Sequence, residues 1–314
     1  MIDVIIVNYN TAHLLARMFA ACDAAAQGLD VRYWVVDNAS RDDSVQVLRH
    51  DYPAAFLQVN EANVGFGRAN NQMVEHLAGE FVLLLNTDAF VAPDALRVAI
   101  DCLRRHTNAG AVGVRLTTEE GQLQPSCRYF PTPWNMFLQR TGLSRWFPGT
   151  RLIDDFTWDH QGERECDWVP GCFLLIRKQV IDHIGLFDPR YFLYFEEVDL
   201  CKRINAAGWK VIYTGAASVV HLGGESAKSV GKITQSGRQI SELQVESELL
   251  YVRKHHGLAG LWLHLALTHV ADVLMALKDL LRNRGWAAMR AQFKRGAMAR
   301  RACGETRWGA EPTR

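Results

Sequence analysis

The run Phe81-Val82-Leu83-Leu84-Leu85 is apolar at every position and turns polar only at Asn86-Thr87-Asp88, with Pro93 opening a helix soon afterwards. A strand without polar alternation is one buried on both faces, the condition of a parallel strand covered by helices, so the chain is constrained to an α/β layer structure. The sequence on either side keeps the alternation. Residues 4–7, 33–36 and 56–59 read as strands. Leu14, Leu15, Met18, Phe19 and Cys22 mark one face of a helix that Gly28 can close. Ser40 with Asp43 resembles a capping box ahead of a short helix carrying Val45 and Leu48, and residues 68–77 and 95–103 read as further helices. Strand-like composition returns at 169–176, 210–213 and 219–222. The expected architecture is a doubly wound, mostly parallel sheet that continues to about residue 225.

The length of 314 residues allows one large or two modest domains, and 48% hydrophobic content is ample for a core. Between about 117 and 166 the alternation gives way to Pro, Gly and aromatic residues, among them Pro131, Pro133, Trp134, Trp146 and Trp158. A stretch of that length and irregularity reads as a functional surface. The seven cysteines include no CxxC pair and no zinc spacing, and their odd number argues against a complete disulfide framework, so a reducing cytoplasmic setting is expected. Met1-Ile2-Asp3-Val4-Ile5 enters a strand at once, without the pattern of a secretory signal, and Asn38-Ala39-Ser40 is accordingly read as a chance match to a glycosylation acceptor.

The formal net charge of +1 conceals an asymmetry. Residues 278–314 carry ten Lys or Arg against three acids, a balance of +7, which leaves the first 277 residues at −6. Just before this tail, residues 258–277 are largely apolar and include Trp262, but His264, Thr268 and Asp272 recur at four-residue intervals on one helical face. An aspartate near a bilayer centre costs about 2.5–3.5 kcal/mol on insertion scales. The segment fits a helix lying in the interface, with basic residues facing anionic lipid, better than a solvated basic tail behind a core-packing helix; nucleic acid is not the expected partner.

Two groups of acids carry the chemistry. Asp88 stands at the carboxyl end of a strand, where open α/β sheets bind ligands, and an acid there can hold a divalent cation completed by phosphate oxygens. Phe192-Leu193-Tyr194-Phe195 precedes Glu196-Glu197-Val198-Asp199, which places three carboxylates behind bulky apolar side chains at the start of a helix that Gly208 stops. Burial raises a carboxyl pKa while a helix start lowers it, so environment selects the acid that acts. Asp37 ends the second strand, in a position that reads a nucleoside or caps a helix, and His221 follows two valines as a strand-borne metal ligand or a structural histidine. Asn63-Val64-Gly65-Phe66-Gly67-Arg68 lacks the third glycine of a dinucleotide fingerprint, which removes the main support for hydride chemistry. Gly223-Gly224-Glu225-Ser226-Ala227-Lys228-Ser229 lacks the glycine that precedes the lysine of a P-loop.

Taken in order, Val4-Ile5-Ile6-Val7-Asn8-Tyr9-Asn10, Val35-Val36-Asp37-Asn38-Ala39-Ser40, Asn63 to Gly67, Leu85-Asn86-Thr87-Asp88, Gly171-Cys172-Phe173-Leu174-Leu175-Ile176-Arg177 and the segment from Phe187-Asp188 to Arg203 resemble the inverting family-2 glycosyltransferases of GT-A fold, in a subgroup containing rhamnosyltransferases. The resemblance implies a GT-A domain over 1–225, with a nucleotide-sugar half at 1–116 and an acceptor half at 117–225. A connecting segment at 226–257 and an amphipathic, basic tail at 258–314 follow. It implies a nucleoside-diphosphate sugar donor read by Asn8, Tyr9, Asp37, Asn63, Gly67, Arg68 and Asn86, and Mg2+ or Mn2+ at Asp88 and His221. Glu197 aligns with the base, with Glu196 and Asp199 beside it, and Trp168 and Gly171 fall on the acceptor side. Two departures stand out: Asn86 where relatives often have Asp, which removes one anionic ligand, and Glu197 where many carry Asp. The function implied is transfer of a sugar such as rhamnose to a saccharide or lipid-linked saccharide at the inner face of the membrane. A nucleotidyltransferase and a non-catalytic sugar-nucleotide adaptor are the alternatives.

Overall fold

Short apolar strands that end in polar residues assemble here into one mixed sheet. A computed structural model describes residues 1–223 and 242–314. The strands are β1 (Ile2–Asn8), β2 (Val31–Asp37), β3 (Phe56–Val59), β4 (Phe81–Asn86), β5 (Ala89–Val91), β6 (Ala109–Thr117), β7 (Leu123–Gln124), β8 (Glu163–Cys166), β9 (Phe173–Arg177) and β10 (Lys210–His221). Their order is β3-β2-β1-β4-β9-β6-β10-β5, with β7 on β6 and β8 on β10. The parallel character expected from the apolar runs holds for β3, β2, β1 and β4 and for β6 with β10. β9 starts later than the expected 169–176 strand and runs antiparallel to both β4 and β6, and the short β5, β7 and β8 are antiparallel to their partners as well. The two strands expected at 210–213 and 219–222 are one, β10, whose pairing with β6 shifts register between Thr214 and Ser218.

Burial on both faces accounts for the unbroken apolar run of β4. Leu83 and Leu85 join the core formed with Leu15, Met18 and Phe19 of α1 (Ala12–Ala25) and Leu96, Ala99 and Leu103 of α4 (Ala95–Arg105). Val82 and Leu84 alternate to the opposite face and are equally buried. α2 (Ser44–Asp51), α3 (Phe66–Asn71), α6 (Lys178–Ile184) and α7 (Glu196–Ala206) complete this part of the chain. The helix expected over 68–77 divides into α3 and a 3-10 turn at Val74–His76. The expected Ser40–Asp43 capping box does not form, because the Ser40 hydroxyl bonds Asn8 and the amide of Asn10, and α2 begins at Ser44.

The described residues form two compact units: 1–128, 156–188 and 197–223 in the first, and 129–155, 189–196 and 242–314 in the second. The division is interleaved along the chain rather than linear, and residues 242–257, expected to connect, are helical. The second unit contains α5 (Pro133–Thr141), α8 (Glu242–Leu281), α9 (Gly285–Gln292) and α10 (Lys294–Glu305). α5 starts on a reciprocal Thr132–Asn135 capping box with Pro133 in the first turn, and ends at Gly142 in the left-handed region. α8 is two helices joined at Gly257, whose φ of 66° no β-branched or bulky residue adopts easily. After Gly257 its side chains are sorted opposite to those of an ordinary surface helix. His264, Thr268, Asp272 and Asp279 face inward and are buried, while Trp262, Leu263, Val270, Leu274, Leu277 and Leu281 are exposed. The buried polar groups are paired. Asp272 meets the Arg140 guanidinium of α5, Glu248 meets Arg295 and has His264 at 2.9 Å, and Asp279 accepts from Gln292 at 2.6 Å. Gly296 of α10 packs so close to Asp272 that a β-carbon there would lie 2.2 Å from its carboxylate.

Candidate active site

The carboxyl ends of β1, β2 and β4 are laced together by side chains whose polarity was the visible break in each apolar run. Asn8 donates to Asp37 at 2.7 Å and to Ser40 at 3.0 Å, and accepts from Thr11 at 2.7 Å, which in turn reaches Thr87 at 2.9 Å. Asn38 accepts from the amide of Val64 at 3.0 Å and donates to Asn63 at 2.9 Å, which fixes the turn into α3 at Gly65. The φ of 91° at Gly65 is open to glycine and strained for other residues. Asp37 is fully buried, and its two oxygens accept from Asn8 and from the amide of Ser40. Both oxygens of the residue expected to contact the nucleobase are thus engaged by the protein itself, where they tie β2 to β1 and to the turn at Ser40. Tyr9, Asn63 and Arg68 are partly accessible on this rim, and Gly67 is buried in α3.

Asn86 ends β4, and Asp88 follows it in the turn to β5. Asn86 carries a buried Oδ1 that has no hydrogen-bond partner among the described residues, an acceptor left for a ligand. Asp88 Oδ1 lies 3.6 Å from His221 Nε2, because β5 turns back beside β10 and puts His221 opposite Ala89. Gln124, on β7, decides what His221 can do. Its amide nitrogen donates to the His221 carbonyl at 2.7 Å, which leaves its oxygen 2.9 Å from Nδ1. Neutral His221 therefore carries its proton on Nδ1 and keeps the lone pair of Nε2 on the side of Asp88. A carboxylate and an imidazole nitrogen 3.6 Å apart fit a divalent ion with ligand distances of about 2.1 Å, with further positions left for phosphate oxygens.

Glu197 lies in the first turn of α7, with its Oε2 shut off from solvent and without a hydrogen-bond partner among the described residues. Burial pushes its carboxyl up, opposed by the amides of the helix start and by the charge of Arg128. The Cys172 thiol is pushed up first by burial and then by the charges of Asp88 and Glu197. A β-carbon at Gly171 would lie 3.5 Å from that of Glu197 and 3.9 Å from the Phe66 ring, so larger side chains there would crowd the acid. The other expected acids differ. Asp199 is fully buried and accepts from Arg203 at 2.8 Å, and Arg203 also binds the carbonyls of Ile184 and Leu186, so Asp199 anchors α7. Glu196 is buried in the second unit. Trp168, expected to stack on acceptor, is buried with the Arg128 guanidinium 4.2 Å from its ring.

The backbone entering α7 is unusual. Tyr194 and Phe195 have φ of 72° and 67°, a left-handed pair of aromatic residues that is strained by about 1–2 kcal/mol each. Within the second unit, Ser247 donates to the Leu193 carbonyl at 2.8 Å, and the Phe195 ring packs at 5.2 Å from Tyr251. The sequence singled out Asp88, His221 and Glu197, and the structure brings Asp88 and His221 together; the supporting Gln124, Thr11 and Arg128, and Ser247 behind the Leu193 carbonyl, carried no signal in it. Gln124 lies in an irregular stretch with no periodic signal, and Ser247 is one polar residue on a long helix. The Gly224 to Ser229 part of the glycine-rich segment lies outside the described residues.

The profile of Glycosyl transferase family 2 matches residues 3–183, which include β1 to β9 and the whole Asn8–Asp37–Asp88 rim. The chain belongs to this family. The glycosyltransferase is 30% identical over 248 residues to the N-acetylglucosaminyl-diphospho-decaprenol L-rhamnosyltransferase of Mycobacterium tuberculosis, across 74% of its own length and 78% of that relative. It is 23% identical to the rhamnosyltransferase WbbL of Escherichia coli K12, over 70% of its length and 83% of WbbL. Among solved structures it shares its fold with the mannosyltransferase PcManGT of Pyrobaculum calidifontis in complex with GDP-Man and Mn2+, at TM-score 0.55 and 16% identity, over 99% of this chain and 88% of that one. S. aureus TarS 1-349 matches at TM-score 0.51 and 15% identity, over 98% and 91%. The fold is GT-A, and the enzyme uses a sugar donor.

Proposed function

We propose that this glycosyltransferase moves a sugar, rhamnose being the leading candidate, from a nucleoside diphosphate to a hydroxyl of a saccharide or lipid-linked saccharide, with inversion, in the building of a cell-surface polysaccharide. The observation that carries the reading is a pair of distinct acids in the first unit: Asp88, 3.6 Å from a His221 whose ring is held by Gln124, and Glu197 with a buried oxygen left without a partner among the described residues. Asp88 and Nε2 of His221 would hold Mg2+ or Mn2+, which when bound neutralises charge developing on the leaving diphosphate. Asn86 offers an acceptor to the donor sugar nucleotide, and Asn8, Asp37, Thr11 and Thr87 keep the strand ends in register around it. Glu197 takes the proton of the acceptor hydroxyl as its oxygen attacks the anomeric carbon, and the diphosphate departs from the opposite face. Its buried, raised carboxyl is a stronger base than an exposed one and needs no covalent intermediate.

The rhamnose reading and the lipid-linked acceptor are supported by the names of the 30% and 23% identical relatives, the first of which acts on a decaprenol-linked sugar. We place the enzyme at the cytoplasmic face of the membrane, peripherally bound. Incubation with a panel of nucleotide sugars, including a rhamnosyl donor, tests the proposal by the nucleoside diphosphate released in the presence of a saccharide-diphosphate lipid. Release of pyrophosphate would make it a nucleotidyltransferase, and release of nothing from any donor would leave a binding module.

A further inference from the structure

The arm of α8 after Gly257 turns acids and polar groups toward the protein and large apolar side chains toward solvent. On the second arm of α8, Trp262, Val270, Leu274, Leu277 and Leu281 recur at three-, four- and eight-residue intervals on the exposed side, and Leu281 is 87% accessible. From Trp262 to Leu281 this stripe is about 28 Å long at the helical rise. The opposite side is committed: Asp272 and Asp279 are paired within the protein, and α5, α9 and α10 cover them. α8 is long and apolar enough to cross a membrane. A span would strip these buried carboxylates of their partners, so the geometry favours a helix lying flat, with one face on protein and the other free.

Beside the stripe, between Gly142 and the end of α8, is a cleft of about 300 Å³. Its floor is Leu143, Leu274 and Met275, and its rim bears Arg145, Lys278 and Arg282. Among the described residues none of these three cations is paired with a carboxylate. The nearest acid in sequence, Asp279, is taken by Gln292 and Arg284. Trp146 and Trp286, 68% and 75% exposed, flank the same unit with rings suited to the headgroup layer.

Resting on the membrane-proximal reading above, we propose that the second unit seats an anionic phospholipid of the bilayer surface, its phosphate held by Arg145, Lys278 and Arg282 and its acyl chain laid along the outer stripe of α8. An apolar stripe alone would accept any hydrophobic partner. The cation-rimmed cleft opening onto it, and the +7 balance of residues 278–314, select a partner that is apolar and negatively charged at once.

Flotation of the full-length protein with phosphatidylcholine vesicles, with and without phosphatidylglycerol, tests this. The intact chain should float with the anionic vesicles. The triple variant Arg145→Gln/Lys278→Gln/Arg282→Gln should bind them about a hundredfold more weakly, from roughly a fivefold loss per cation. Leu277→Asp/Leu281→Asp, both at exposed positions, should abolish binding. Both variants should keep the melting temperature of the parent and its turnover of donor with a water-soluble acceptor. No flotation of the intact chain, or equal flotation of the triple variant, would overturn the proposal. So would loss of inorganic phosphate binding in the triple variant with vesicle binding unchanged, which would make the cleft a site for soluble phosphate. Because flotation needs no donor, lipid binding without release of nucleoside diphosphate would count against the catalytic reading alone.

Discussion

At the scale of single residues, the acid proposed to perform the chemistry and the acids that hold the scaffold are separated by what they touch. Glu197 is shut off without a partner on Oε2, whereas Asp199, two positions on, is neutralised by Arg203. Replacing Glu197 by Gln should lower the transfer rate by about 10²–10⁴-fold in a nucleotide-release assay while donor binding persists. The fold prefers Glu197 protonated, so the stability linked to it is present at low pH and lost as pH rises through its raised pKa. Glu197→Gln should therefore melt no lower than the parent at neutral pH, and kcat/KM of the parent should show an acid limb above the usual carboxylate range. Gln124 belongs to the same scale. Gln124→Ala frees the ring of His221, and Mn2+ affinity measured by electron paramagnetic resonance should drop about 10–100-fold, the usual effect of losing a partner behind a ligand. Asp88→Ala should lose the ion and the activity together, and chelator should reproduce it; full turnover in EDTA would take the metal out of the mechanism.

At the scale of elements, polar punctuation made the sheet readable. Asn8, Asp37 and Asn86-Thr87-Asp88 each end an apolar run, and all three runs are strands with those residues at the rim. Glu197 was legible because helical spacing starts there. The antiparallel insertion of β9 was not, since an apolar strand buried on both faces reads the same in either direction. Nor was the burial of Trp168, because an aromatic residue in an irregular stretch carries no sign of whether a guanidinium will cover it. On α8 the four-residue spacing of His264, Thr268 and Asp272 marked a face correctly, but only the partners Arg140 and Glu248, distant in sequence, show that it points inward. That inward face is testable. Arg140→Ala leaves Asp272 buried and unpaired, and should destabilise the second unit by about 3–5 kcal/mol in denaturant unfolding, whereas replacing both by apolar residues of similar size should be far milder.

For the whole molecule, stability and address are joined in the helical unit. Burial alone would raise the Glu248 carboxyl, but Arg295 and His264 hold it down to about 2, so the stability it contributes is full above the ordinary carboxylate pKa and lost as pH falls through the interval down to about 2. The loss amounts to about 3 kcal/mol, and the acid midpoint of unfolding should move upward in Glu248→Gln. The outward leucines of α8 have a colloidal consequence as well. Away from lipid, a surface of that kind lowers its energy by meeting another copy of itself, so the purified enzyme should behave as a surfactant does. It should sediment as concentration-dependent clusters in plain buffer, disperse to single chains in mild detergent, and collect at an air–water interface.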